Sequence, residues 1–582
     1  GADAAAARAV AARDAFFPTG DPTVAAEDRP ARASNNWAVA PRRTAAGHAL
    51  LAGDPHLELT LPSIWYEAHL VVPGKLDVYG VTIPGLPGIV IGFNRDVAWT
   101  FTNTGADVLD FFAEEVDDPA RPRRYRVDGA WRPVQERVET YRGKDGEIVA
   151  VDTLRFTHRG PLRRDSAFAP GASPRWLSMR WTVLDPSDAL VPFREGSHAT
   201  TARGFLDALA AGYFSPAQNM LAADRAGTIG IRSTGRFPLR AGDGSGFVVR
   251  DGRRSANDWR GWLPVARYPQ AVDPAQGFLA SANQQPVDPA TTGDWWGGGY
   301  DPWRALRINA LLRADSAVTP ETMRRWQTDP GSARADLFAA RFLAAAERGA
   351  AAGGAEAARL REAARLLAQW DRRYVRDSPR AALFEQAMRE LVDRTWDELV
   401  GPAGRRVATP ATAILAALLA DPANAWWDDR RTRGRVEDRD ALLAASLLAA
   451  HDTLVARRGA PDAGGWAWHE VRQANIHHLL RLPALSRLGL PVRGGPGTLN
   501  PSSGAGTHGA SWRMVVELGP EVRAWVTYPG GQTGDPSDPH YTDRLPRWLA
   551  GELEPARVPR AADALPDAQR TRALDLTLAP RR

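Results

Sequence analysis

The chain has 582 residues, 44% hydrophobic and 24% charged, with 21 tryptophans, which is ample material for a buried core. Its 73 basic and 68 acidic residues leave a formal net charge of +5, and the arginines are scattered among acids rather than gathered into a stripe, which argues against a nucleic-acid partner. There is no cysteine, which excludes disulfides, thiol nucleophiles and cysteine-ligated zinc, and no stretch reaches the roughly 18 uninterrupted apolar residues of a membrane helix.

Residues 1–33 are rich in Ala, Asp, Pro and Arg and read as a tail or linker, with a short helix predicted over 3–16. The chain opens on Gly1 without the basic and apolar blocks of a signal peptide, so an upstream part is expected to be missing or removed. At Ser34 the character changes. SNNWAVAP, ALLAGDPHLEL, WYEAHLVV, LDVYGVTI and IVIGFNRDVAWTFTN are short β-rich runs separated by Gly and Pro turns, the pattern of a multi-stranded sheet. Strands continue through RYRVDGAWRPVQERVETYR, EIVAVDTLRFTHRG and SMRWTVL. GFLDALAAGYF predicts a helix, and NMLAADRAGTIGIRSTG a hairpin. From about 303 to 400 the apolar spacing becomes helical, and further helices are expected over 410–420 and 438–456. SWRMVVELGPEVRAWVTY, residues 511–528, reads as a strand pair, and the remaining C-terminus as a surface wrap. No internal repeat is present.

Two constellations read as structural. Ile476-His477-His478 is taken as helical, where adjacent side chains diverge, and no carboxylate sits at metal-ligand spacing. The Gly-rich runs at 297–299 and 494–497 lack the strand–loop–helix context and the Lys-Ser/Thr of a phosphate cradle.

SNNWAVAP, then GDPHLELTLPSIWYEAHLVVPG, then TIPGLPGIVIGFNRDVAWTFTNTGADVLDFF resembles the opening of the β-subunit in the penicillin acylase family. The likeness continues in family order through SPAQNMLAADRAGTIG, FLASANQQP, YDPWRALRI, GASWRMVVEL and PGGQTGDPSDPHYTDR, from residue 34 to about 550. It implies an N-terminal-nucleophile hydrolase: an α+β, four-layer αββα fold with a helical insertion. On that reading, residues 1–33 are spacer or the end of an α-subunit, and 34–582 are the β-subunit. The latter divides into a β-rich core (34–302), a mainly helical region (303–480) and returning strands with a C-terminal wrap (481–582).

Taken alone, Ser34 in an S-N-N context reads as a cap or turn serine. The resemblance makes it the nucleophile, exposed by an autoproteolytic cut after Ala33, where the family commonly has Gly. A serine needs a base, and a chain-terminal α-amine, titrating near 8 in model peptides, can supply it. By the same carry-over, His56 orients the hydroxyl and assists proton transfer. The backbone N–H of Asn103 and the side-chain amide of Asn283 form the oxyanion hole, and Arg304, with Arg307 as its rival, organises the asparagine and the serine amine. Leu57 lines the acyl pocket. Asp107, Leu109 through its carbonyl, Asp110 and more weakly Asp294 match the segment that holds a structural calcium, a hard cation taking six to eight oxygens.

The expected reaction is removal of an acyl chain from a small N-acyl substrate, first an N-acyl-homoserine lactone or lipopeptide. A β-lactam antibiotic acylase is the alternative, and a catalytically inactive binding or scaffold relative is the rival of another class. A metallohydrolase is disfavoured, since the available acids suit calcium better than zinc. The resemblance further implies an α-subunit from the same precursor, apparently missing here, and a periplasmic or secreted location.

Overall fold

Ala33–Val39 (β1) and Ala49–Glu58 (β2) pair antiparallel, Ser34 opposite Pro55 and Val39 opposite Leu50, within a seven-stranded sheet. The computed structural model describes residues 33–165, 175–242, 244–399, 409–501 and 506–559. The helix predicted over 3–16, the rest of the linker up to residue 32 and the end of the C-terminal wrap lie outside them, while Ala33 is already part of β1. β1 is flanked on its other edge by Phe278–Ser281, and β2 by Arg513–Leu518, which continues into Val522–Thr527 and Glu554–Pro555. A second seven-stranded sheet runs in the order Gln270–Val272, Ile229–Thr234, Gln218–Asp224, Val97–Asn103, Ile91–Asn94, Leu76–Thr82, Tyr66–Val72.

Side-chain alternation decides what each face of β1 meets. Ala38, with Leu51 of β2, points toward the second sheet, in a core that runs through Leu221 to Trp99, Phe101 and Met220 on the far face of that sheet. Trp37 and Val39, with Leu50 and Ala52, point the other way, against Ile308 and Leu312 of helix Trp303–Ala314 and Met323 and Trp326 of helix Pro320–Gln327. Both faces of the strand are covered, so SNNWAVA reads as a nearly continuous buried run.

Helix Ala202–Gly212 covers the outer face of the second sheet. Thr201 caps it by accepting from Gly204 N–H at 3.0 Å, and Phe205 stacks on Trp99 with centroids 5.0 Å apart. The layers therefore run helix, sheet, sheet, helix. Ala333–Ala351, Ala357–Ala368, Pro379–Thr395 and Arg439–Arg458 add a helical body around Phe338, Phe342, Phe384 and Leu447.

Ile476-His477-His478 is corrected. The segment is the strand Gln473–His478, not a helix, and the two histidines diverge because they face opposite sides of it, His478 buried and His477 half-buried. Helix propensity there yields to pairing with Arg487–Pro491.

Candidate active site

Ser34 is the second residue of β1 and is 4% exposed. Extending the register Asn36–Ser281 by two residues brings Asn283 opposite Ser34, and Ser34 N–H donates to Asn283 Oδ1 at 2.6 Å. Asn283 has φ +63°, a left-handed conformation that Asn tolerates better than most residues and that turns its amide back toward β1. Ser34 Oγ donates to the carbonyl of Ala33 at 2.6 Å and accepts from the backbone N–H of His56 at 3.4 Å.

Arg304, 6% exposed, reaches this point from the start of helix Trp303–Ala314. Its Nη1 donates to Ser34 O at 2.7 Å and Asn35 Oδ1 at 2.8 Å, and its Nη2 to Asn283 Oδ1 at 3.0 Å. Two donors on Asn283 Oδ1 fix which end of that amide faces Ser34. Burial lowers the Arg304 pKa, with Asp301 and Asp54 opposing. The rival Arg307 instead donates to Asp329 at 2.5 Å.

His56 is placed differently from the sequence reading. Its backbone touches the Ser34 hydroxyl, but its ring lies on the opposite face of the strand, because His56 pairs with Ala33 and shares a face with Asn35. There Nε2 lies 3.0 Å from Asp54 Oδ2 and 3.4 Å from Asn35 Nδ2, all fully buried. Asn35 also donates to Leu499 O at 2.8 Å, and Arg513 Nε stands 3.8 Å from Asp54 Oδ1. Burial lowers the His56 pKa; Asp54 opposes this, and Arg304 and Arg513 add to it. Sequence reasoning missed Asn35 and Asp54, although Asp54 stands two residues before His56, a spacing that puts both on one face of a strand.

Asn103 ends the strand Val97–Asn103. The hydrogen-bonded pair Thr104–Ala217 leaves the neighbouring Asn103–Gln218 pair in the non-hydrogen-bonded register, so the backbone groups of Asn103 point away from that ladder. Asn283 Nδ2 donates to Asn103 O at 2.8 Å, which brings both expected oxyanion donors to one place. The Asn103 side chain is turned aside, accepting from Gln218 Nε2 at 2.8 Å. Leu57 lies on the Ser34 face of β2 and packs against the inter-sheet core.

The calcium expectation meets a different donor arrangement. Asp107, Leu109 O and Asp110 do converge, so closely that a Cβ on Gly246 would collide with all three. A guanidinium already occupies their charge. Arg240 Nε donates to both Asp110 oxygens at 3.0 and 2.9 Å, and Nη2 to Asp107 O at 3.0 Å and Oδ1 at 3.2 Å. Trp295 and Gly246 N–H take Asp107 Oδ2 at 2.8 and 2.6 Å, and Trp259 donates to Asp110. Asp294 is corrected: it does not join the pair but bonds Arg267 at the surface. Among the described residues no group of three or more His, Asp or Glu is placed to hold a metal. As arranged, these residues fit a buried arginine, not a calcium ion with six oxygens.

Two antiparallel sheets stacked between helical layers define the N-terminal-nucleophile hydrolase fold, and the serine of β1, a strand paired on both sides, faces an asparagine and an arginine. The chain belongs to the penicillin amidase family, whose model matches residues 2–564. It is 32% identical over 568 residues to the acyl-homoserine lactone acylase QuiP of Pseudomonas aeruginosa, covering 89% of this chain and 66% of that protein. It is 29% identical over 547 residues to the penicillin acylase 2 proenzyme of Pseudomonas sp. strain SE83, covering 90% and 65%. The chain thus spans just under two thirds of the length of these relatives. The thermostable penicillin G acylase from Alcaligenes faecalis shares the fold with a TM-score of 0.72 at 20% identity, covering 94% of this chain and 100% of that one.

Proposed function

We propose that this chain is the catalytic part of an amide hydrolase that removes the acyl group from a small N-acyl substrate through a Ser34 acyl-enzyme. The observation that carries the proposal is the convergence of Asn283 and Arg304 on the Ser34 backbone, from 249 and 270 residues away. A scaffold protein has no need of a buried arginine that joins one serine to two asparagines, so the inactive reading is the weaker one.

The reaction requires the Ala33–Ser34 bond to be cut. In the continuous chain Ser34 N is an amide and cannot act as a base. After the cut it is an α-amine, which accepts the Ser34 hydroxyl proton, directly or through a water. Oγ bonds to the substrate carbonyl carbon, and the carbonyl oxygen becomes an oxyanion held by Asn103 N–H and Asn283 Nδ2. The C–N bond breaks, and the amine leaves with the proton. Water then adds to the ester, releasing the acid and restoring Ser34. Arg304 keeps Asn283 Oδ1 occupied, so that Nδ2 is the end turned to the oxyanion. The His56 backbone N–H orients Oγ.

For substrate, N-acyl-homoserine lactones or acylated lipopeptides come first, supported by the likeness to QuiP. A β-lactam amide is the second reading, supported by the likeness to the penicillin acylase 2 proenzyme. Leu57, on the nucleophile's side of β2, lines the acyl side on either reading. The proposed partner is an α-subunit from the same precursor, and the proposed setting is periplasmic or secreted; co-purification and cell fractionation test both. Intact-mass measurement with N-terminal sequencing tests the core of the reading. A fragment beginning Ser-Asn-Asn-Trp, and acyl amides of graded chain length hydrolysed by wild type but not by Ser34→Ala, are the expected results. Hydrolysis retained in Ser34→Ala overturns it.

A further inference from the structure

The two oxyanion donors belong to different sheets. Asn103 ends a strand of the second sheet, and Asn283 follows Phe278–Ser281 of the first. Their separation is therefore set by how the sheets are held together at this point. Apolar packing between sheets is non-directional and does not fix such a spacing to a few tenths of an ångström.

Besides the direct Asn283 Nδ2–Asn103 O bond, a polar cluster centred on one side chain bridges the two sheets here. Asn219, in the strand Gln218–Asp224 and 3% exposed, projects between the layers. Its Nδ2 donates to Thr102 Oγ1 and to Ser281 Oγ, each at 3.2 Å, and approaches Asn103 O at 3.4 Å. Thr102 and Ser281 are hydrogen-bonded to each other at 2.7 Å across the sheet-to-sheet gap, and Ser281 Oγ accepts from Asn283 N–H at 3.4 Å. Asn103 O can only accept, so it favours the amide with Nδ2 on its side, and Oδ1 on the other side accepts from Ser233 Oγ at 2.6 Å. All four polar side chains are at most 3% exposed, so water does not compete for them.

We propose that Asn219 is a positioning residue. It clasps Thr102 and Ser281, the residues one and two places before the donors, and thereby sets the span of the oxyanion hole. Asn219 itself is directed at neither Ser34 nor a substrate. The inference rests on the function proposed above, and it adds a group to which no role in catalysis has been given. A displacement of about 1 Å between catalytic groups can cost about 10²-fold in rate. Ground-state binding depends on the acyl pocket and not on this span, so the loss belongs in kcat.

The test uses the full chain with Asn219→Ala, Asn219→Asp, Ser281→Ala and the double variant Asn219→Ala/Ser281→Ala. Asn219→Asp keeps the volume and the acceptor but loses both donated bonds as the carboxylate. The expected result is a fall in kcat of about 10²-fold for either Asn219 variant with KM within about twofold, and a double variant no worse than the worse single one. Amide hydrogen exchange should accelerate in 97–104 and 278–284 and stay unchanged in the helical body around Phe342. An unaltered kcat, a loss confined to KM, or multiplying effects in the double variant overturns the clasp. Wild type inactive on every acyl amide counts against the function itself. Exchange then decides the clasp alone: unchanged rates in 97–104 and 278–284 of Asn219→Ala refute it, and faster ones support it.

Discussion

Ser34 and Asn283, 249 residues apart, are joined by a 2.6 Å hydrogen bond from the Ser34 N–H to the Asn283 side-chain oxygen. That bond turns the asparagine so that its N–H₂ end lies beside Asn103, at the proposed oxyanion site. The same nitrogen becomes the proposed general base once the chain is cut, so one contact serves both the uncut and the cut form.

Asn283→Ala removes one proposed oxyanion donor and the partner of the Ser34 nitrogen. The expected loss in kcat is about 10²–10³-fold, measured on the matured protein with an acyl amide. Asn283→Gly keeps the left-handed backbone and should lose the same activity with less loss of melting temperature.

Arg304→Lys should behave almost like Arg304→Met. Arg304 serves Ser34 O and Asn35 Oδ1 from Nη1 and Asn283 Oδ1 from Nη2, whereas the three donors of a lysine sit on one nitrogen and do not reproduce that planar fork. Each variant should cost about 2–4 kcal/mol in stability by urea unfolding, because buried acceptors are left without donors. A lysine variant of full stability would show that charge alone matters here.

The His56 pKa is lowered by burial, so the ring stays neutral in the folded state below pH 6.5, where it would charge in the unfolded chain. The unfolded state then binds more protons. The stabilisation is fully present above 6.5 and is lost as pH falls through the lower, folded value. Unfolding free energy should therefore drop as pH falls below about 6.5, and His56→Gln should flatten that slope.

Arg240→Ala leaves Asp107 and Asp110 buried without their arginine, and should cost about 3–5 kcal/mol. EDTA should leave the melting temperature of the wild type unchanged. A fall on chelation, restored by added calcium, would show a cation in place of the guanidinium.

The strands around Ser34, the helix after Ala202 and the hairpin around Asp224 were legible because apolar spacing and turn residues are local signals. Ser34, Asn103, Asn283 and Arg304 were legible through motifs in family order. Asn35, Asp54, Asn219 and Arg240 were not. Each looks like an ordinary polar or charged residue until its partners arrive, Leu499 O for Asn35 and Asp110 for Arg240, 464 and 130 residues distant.

By itself, the sequence determined most of the strands and helices and, through short motifs in order, the family, since both are carried by neighbours along the chain. The tertiary structure decided which way the His56 ring points and which charge stands beside Asp107 and Asp110. Strand register is settled by packing between distant segments, and a slip of one residue would turn every side chain of β2 to the opposite face.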